Sequence, residues 1–331
     1  MINILIMGAG LIGHRHVKLV NANDRCHLVG VIETDASRHL DDGNRYFTSL
    51  DEVDSPVDGV IIATPTNLHY ECAQQAIKRG WHMLIEKPVT ATPDEAAALA
   101  EEIAPSGLHC LVGHHRRYHQ SILTLRDWVS CGALGELMTS SMIWAMRKPD
   151  DYFEGNWRNR DGSPVMINTI HDIDLMRFVL GDITDMVGVA SDNIRQSGRV
   201  ETAAVALRFA SGLCGTIALS DSATSPWSFE AGTGENPTIG TTGQDMWWIT
   251  GTKGSVSFPS LTRWGDADDW SQPALPTAYD YEATIPLIAQ LNHFIAVIKG
   301  EEAPLITVQD AGASLIATWQ LQQSLQSQLA L

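Results

Sequence analysis

The segment LIEKPVTATPDE, residues 84 to 95, starts as an apolar strand and sets Glu86, Lys87 and Pro88 where the apolar run stops. A lysine at a strand exit, with a carboxylate before it and a proline after it, is a cation constrained in both direction and tuning. Near the N-terminus, GAGLIG (residues 8–13) follows the apolar run INILIM and opens a helical stretch. There Gly8 permits a tight turn, Gly10 lets a pyrophosphate approach the backbone and Gly13 lets helix and strand pack closely. Leu11 and Ile12 then belong to a helix start that faces the anion. Glu33 closes the second apolar run, 20 residues beyond Gly13, where a carboxylate can accept hydrogen bonds from an adenosine ribose and repel a 2′-phosphate. NAD is therefore the expected cofactor, with NADP the lesser option that Arg15 and Arg38 leave open.

Elements must hold these residues in place. INILIM (2–7), HLVGVIE (27–33), VDGVIIAT (57–64), HMLIEKP (82–88) and LHCLVG (108–113) read as strands, and helical patterns fall near 12–22, 67–79 and 93–104. The last helix opens on Thr92, Pro93, Asp94 and Glu95 as cap, first-turn proline and acidic first turn. Near-continuous apolar strands separated by helices imply a parallel sheet covered on both faces, a doubly wound α/β Rossmann domain over residues 1–118. Ligands of such sheets bind beyond the carboxyl ends of the strands, and Thr64-Pro65-Thr66-Asn67 and Glu86-Lys87-Pro88 stand at two of those ends. After Tyr118 come a helix near 119–131, MTSSMIWAM (138–146), a helix HDIDLMRFVL (171–180), strands at ITDMVGVASD, TAAVALRFA, LCGTIALSD and MWWITGTKGSVSF, and a closing helix near 307–326. Runs of strands without intervening helices imply an α+β domain over 119–331 with a largely antiparallel sheet and helices on one side. The irregular stretch 222–245 is too long for an ordinary connection and is a candidate lid or subunit contact.

The 331 residues suffice for two domains, and 44% hydrophobic with 18% charged residues is a globular composition. A formal net charge of -17 argues against nucleic acid or an anionic membrane as partner. The chain opens without a basic leader and no apolar run reaches the roughly 18 residues of a spanning helix, so a cytoplasmic protein is expected. Its five cysteines are scattered and never spaced C-x-x-C, which fits reduced thiols. His115 and His119 share a face at i, i+4, but without the carboxylate of an H-E-x-x-H pattern no metal is expected.

Together the motifs resemble the Gfo/Idh/MocA family of glucose-fructose oxidoreductase, inositol dehydrogenase and rhizopine-catabolism proteins. The matching pieces are GAGLIG, ATPTNLH (63–69), GWHMLIEKP (80–88), VGHHRRYH (112–119), WRNRDGSPVMINTIHDIDLMRFVLG (157–181) and GTKGSV (251–256), in order over most of the chain. The resemblance implies an NAD(P)-dependent dehydrogenase moving a hydride between nicotinamide and a secondary hydroxyl or carbonyl of a sugar, cyclitol, related polyol or sugar acid. It implies that Thr64, Pro65, Asn67, His69, Glu86 and Lys87 join the glycine loop around the cofactor. It also implies that Lys87 contacts the reacting hydroxyl, that His171 assists as acid or base, and that the second domain binds substrate. An unperturbed lysine titrates near ~10.4 and a histidine near ~6.5, so His171 is the expected proton acceptor and Lys87 is expected to act by electrostatics and orientation.

Asp174, three residues beyond His171, shares its helix face and either fixes the imidazole or packs against the first domain. Arg116, Arg117, Trp157, Asn168 and His171 are candidate substrate contacts, with Tyr118, Trp144 and Arg158 as further lining; domain-domain ion pairs are the alternative for the arginines. Relatives often carry an aspartate four residues before the histidine and a G-G-G upstream; Ile167, with Asn168 beside it, and Asp161-Gly162-Ser163 stand there instead. The difference bears on the substrate rather than on the reaction class. A redox-neutral NAD-assisted hydrolase or isomerase and a non-catalytic NAD-binding sensor are the alternatives; the presence of both Lys87 and His171 counts against the sensor. Trp247, Trp248, Trp264 and Trp270 near a strand with apolar residues on both faces imply an exposed patch, hence a homodimer or homotetramer joined through the second domain.

Overall fold

The computed structural model describes residues 1–154, 162–282 and 284–329. They form two compact units, Met1–His115 with Pro286–Ile316, and Arg116–Ile285 with Ala317–Leu331.

In the first unit, strands β1 (Ile2–Met7), β2 (Cys26–Ile32), β3 (Tyr46–Phe47), β4 (Gly59–Ile62), β5 (His82–Ile85) and β6 (Cys110–Val112) form a sheet of order β3-β2-β1-β4-β5-β6. All its pairings are parallel. Helices α1 (Leu11–Asn21), α2 (His69–Arg79) and α3 (Pro93–Ile103) make the crossovers. β4 is buried throughout and β1 from Ile4 onward, as sheets covered on both faces require. α3 begins as its sequence dictates: Thr92 Oγ1 accepts from Glu95 N–H at 3.3 Å while the Glu95 carboxylate accepts from Thr92 N–H at 3.2 Å. The strand order reverses between β1 and β4, the usual ligand position of such a sheet.

This unit differs from a simple cut at residue 118. Helix α7 (Pro286–Ile298), which no helical reading of the sequence anticipated, packs Leu291, Phe294, Ile295 and Val297 into one core with Ile4 and Ile6 of β1 and Val17 and Val20 of α1. The return of a distant segment to the first sheet is a consequence of that apolar face.

In the second unit, helix α4 (Gln120–Ser130) precedes β7 (Leu137–Ala145), and helix α5 (Ile170–Leu180) precedes β8 (Ile183–Ser191), β9 (Thr202–Phe209) and β10 (Cys214–Ser220). A short helix α6 (Phe229–Thr233) follows, then β11 (Trp247–Gly251), β12 (Gly254–Phe258), β13 (Thr262–Gly265) and β14 (Leu275–Thr277), with α8 (Val308–Gln328) at the end. The sheet order is β14-β13-β12-β11-β7-β10-β9-β8, antiparallel except where β7 meets β10. Ile122 and Leu125 of α4, Ile173 and Met176 of α5, and Leu321 and Leu325 of α8 share a core with the inward residues of β9 and β10. The opposite face is open: β9 alternates exposed and buried along its whole length, and Val187 and Val189 of β8 are 67% and 66% exposed.

One expectation changes here. MWWITGTKGSVSF is not one strand but the hairpin β11–β12, with Trp247 opposite Phe258 and Ile249 opposite Val256. The turn reverses the chain, so both arms direct these residues to the buried face and only Trp248 alternates outward. Within 222–245, residues Phe229, Glu230, Ala231 and Gly232 are buried in their own unit. Among the described residues, no helix is long and apolar enough to cross a membrane.

Candidate active site

In the first unit, the loop after β1 is shaped by contact with the exit of β4. Gly8 has φ +99°, and a Cβ there would lie 2.6 Å from the Ala63 carbonyl oxygen, so only glycine fits. A Cβ on Gly13 would collide with the Gly8 carbonyl oxygen, which is why α1 can approach β1 so closely. Gly10 caps α1 without a side chain, the first turn holds no acidic residue, and a Cβ on Gly10 would meet nothing within 4 Å. Uncapped N–H groups beside open space fit the pyrophosphate of a dinucleotide. Leu11 stands 83% exposed on this rim and Ile12 is half-buried. The buried Glu33 carboxylate accepts from the backbone N–H of Ala9 and of Asp35, each at 3.1 Å, and so ties the glycine loop to the end of β2. Arg38 turns toward acids, 3.4 Å from Asp35 and 4.0 Å from Glu33.

At the exit of β5, Glu86 is buried and Lys87 half-buried, and the Lys87–Pro88 bond is cis. His16 Nε2 lies 2.9 Å from Glu86 Oε1, and the Lys87 N–H donates to Glu86 Oε2 at 3.2 Å. Burial works to raise the Glu86 carboxyl; the hydrogen bond and charge of His16, with His115 and Lys87, outweigh it and hold the pKa at about 2. The lysine thus follows a permanent carboxylate. His69 joins two strand exits: its Nδ1 is 2.8 Å from the Pro88 carbonyl and its Nε2 is 3.0 Å from the Thr64 carbonyl. Burial lowers its pKa against the pull of those carbonyls. Thr64 is half-buried beside it, with Pro65 and Asn67 exposed. His16 was not singled out in the sequence, yet Gly13, His16, Val17 and Val20 form the buried stripe of α1. A histidine on such a stripe needs a buried partner, and that is the signal that finds it.

In the second unit, His171 is buried near the start of α5, directly after a π-helical turn at Val165–Thr169. Such turns widen a helix and recur at functional sites. The arginines are committed nearby. Arg117 makes a bidentate pair with Asp174, 2.8 Å from Nε and 2.6 Å from Nη2. Arg116 donates to Asp172 at 3.1 Å, to Glu230 at 2.5 Å and to Glu235 at 3.2 Å, and its guanidinium lies over the Phe229 ring. Both are buried, and their ion pairs lie within one unit. Asp174 gives both oxygens to Arg117, which accounts for its place on α5. Burial raises the Asp172 carboxyl to about 7, aided by Glu230 and Glu235 and opposed by Arg116. Trp144, read as possible lining, is a core residue whose Nε1 donates to Glu230 at 3.1 Å.

Asn168 sits in the π turn, half-buried, and its Oδ1 accepts from Lys148 Nζ at 2.7 Å. Lys148, buried after β7, was missed because an isolated lysine in AMRKPDDYF carries no spacing signal. Trp157 and Arg158 lie outside the described residues.

Two family models match, one described as an oxidoreductase family with an NAD-binding Rossmann fold over residues 2–114, the other as the GFO/IDH/MocA C-terminal domain over residues 122–257. The chain belongs to the Gfo/Idh/MocA oxidoreductase family. Its first unit is therefore an NAD-binding Rossmann domain. Among family members, the chain is 30% identical over 202 residues to the rhizopine catabolism protein MocA of Rhizobium meliloti, a match over 59% of this chain and 62% of that protein, less than two thirds of its length. It is 26% identical over 314 residues to inositol 2-dehydrogenase of Rhizobium meliloti, covering 90% and 89% of the two chains. The structure of UDP-N-acetylglucosamine 3-dehydrogenase from Acidithiobacillus ferrooxidans superposes with a TM-score of 0.80 at 22% identity, covering 99% of this chain and 98% of that one. That likeness extends the Gfo/Idh/MocA fold over both units.

Proposed function

We propose that this family member is an NAD-dependent dehydrogenase of a polyhydroxylated small molecule, oxidising a secondary hydroxyl to a carbonyl or running the reverse. The observation that carries the reading is in the first unit: the open cradle at the start of α1 and Lys87 occupy the same carboxyl edge of one sheet, on β1 and β5. Gly8, Gly10, Leu11, Ile12 and Gly13 would hold the pyrophosphate and Glu33 the adenosine ribose, with Thr64, Pro65, Asn67 and His69 at the neighbouring strand exit. When bound, NAD supplies the hydride acceptor. The substrate C–H bond breaks with its electron pair leaving as hydride, the C–O bond becomes a carbonyl and the hydroxyl proton goes to a base. His171 is that base. Lys87, next in sequence to the ionised Glu86 carboxylate, stabilises the oxygen as negative charge develops on it.

The inositol and sugar dehydrogenases among the relatives support a polyol or sugar substrate. The reading includes a cytoplasmic homo-oligomer in which the open face of the eight-stranded sheet is covered by a second copy, since Val187, Val189 and Trp248 place exposed apolar side chains on it. Light scattering is expected to give a multiple of the single-chain mass, and a monomer overturns that part. NAD reduction followed by absorbance across sugars, inositols and sugar acids tests the activity. No net reduction with any of them, or release of free sugar from glycosides instead, overturns it.

A further inference from the structure

Lys148 is held rigidly. Its backbone N–H donates to the Asp221 carbonyl at 2.9 Å, its own carbonyl accepts from Arg195 Nη2 at 3.3 Å, and its ammonium lies 5.0 Å from the Tyr152 ring centroid and 5.5 Å from that of Trp144. Asp221 gives its carboxylate to Arg195 at 2.6 Å and stays 3.9 Å from the lysine, whereas the Lys148 ammonium donates to the Asn168 amide at 2.7 Å. An ammonium only donates, so the atom facing it must be Oδ1, and the orientation of the amide follows from chemistry. That leaves the NH2 group of the half-buried Asn168 on the side of the amide away from the lysine. Asn168 and His171 are three residues apart at the junction of the π turn and α5.

We propose that Lys148 is a positioning residue that locks Asn168 as a hydrogen-bond donor, and that this donor selects a polyhydroxylated carboxylate over the corresponding neutral polyol. The inference rests on the dehydrogenase reading for the role of His171. A hydroxyl can accept or donate and is served by either an amide or an acid, whereas an ionised carboxylate only accepts. An amide N–H backed by a cation on its carbonyl is polarised toward an anion, and hydrogen bonds to charged groups are the stronger ones. A carboxylate at this position would repel the same substrate.

The test is calorimetry on the NADH-loaded full-length enzyme with the aldonates and hexuronates of the glucose, galactose and mannose series, each against its matching alditol or hexose. At least one acid is expected to bind ~10-fold or more tightly than its neutral partner. Lys148→Met and Asn168→Asp are each expected to remove that advantage, about 10-fold, and Lys148→Met to leave binding of the neutral compound within ~2-fold. A purely structural loss would weaken both compounds alike. Neutral compounds binding as well as the acids, no acid binding at all, or an Asn168→Asp enzyme that keeps the preference overturns the proposal. NAD reduction is measured in parallel: Lys148-dependent acid binding without reduction keeps this inference and removes the dehydrogenase reading, whereas oxidation of a neutral polyol with no acid binding does the reverse.

Discussion

Each candidate catalytic side chain is next in sequence to a buried carboxyl, and the two carboxyls are pushed in opposite directions. Glu86, before Lys87, is held at about 2, while Asp172, after His171, is raised to about 7. Burial does not distinguish them, since Glu86 is 6% and Asp172 0% exposed. The difference is the local balance of charge. Glu86 faces His16, His115 and Lys87, whereas Asp172 shares the single guanidinium of Arg116 with Glu230 and Glu235. Three carboxylates around one cation favour retention of a proton, and Asp172 Oδ2 is a buried oxygen with no hydrogen-bond partner among the described residues. The lysine thus adjoins a fixed negative charge and the histidine a group that titrates near neutrality.

The largest expected effects are on turnover. Lys87→Ala and His171→Ala are each expected to lower kcat by ~10²- to 10⁴-fold with NADH binding retained, because both groups act mainly in the transition state. A His171→Ala enzyme with unchanged kcat moves the base elsewhere and dissolves the parallel between the two regions.

Stability against pH separates the two carboxyls. The Glu86 contribution is present above the ordinary carboxylate range near ~4 and is lost as pH falls toward 2, a change of about 3 kcal/mol. Asp172 has the opposite sign: with its folded pKa raised, its contribution is complete below ~4 and is lost as pH rises through 7. In urea titrations between pH 4 and 8, Asp172→Asn is expected to abolish the decline toward pH 8, whereas Glu86→Gln is destabilised near neutrality because His16 loses its carboxylate. Identical pH profiles for parent and Asp172→Asn would show that the proton sits elsewhere.

The smallest effect concerns the cofactor. NAD(H) is expected to bind more tightly than NADP(H) by calorimetry, and Glu33→Ala to narrow that preference without abolishing binding, since Ala9 and Asp35 lose only a shared acceptor. Equal affinities in the parent would leave Glu33 as a loop tie alone.

The Rossmann unit was legible because its signals are local. Apolar runs, the capping box at Thr92 and the steric demand at Gly8 and Gly13 act over a few residues, and the strands and helices fall within a few residues of the positions their patterns imply. α7 escaped because its apolar face has meaning only against β1 and α1, far away in sequence. The two-residue β3 is too short to carry a period.

By itself the sequence named the side chains that could hold a dinucleotide and move a proton, the glycine loop, Glu33, Lys87 and His171, and offered Asn168 as a substrate contact. Only the tertiary structure decided which charges face one another. His16 and Glu86 are 70 residues apart, Arg116 and Glu230 are 114 apart, and Lys148 and Asn168 are 20 apart. Composition and spacing name the ionisable groups, but the sign of a buried pKa and the orientation of a half-buried amide depend on neighbours within a few ångströms, and those are chosen by the packing of distant segments.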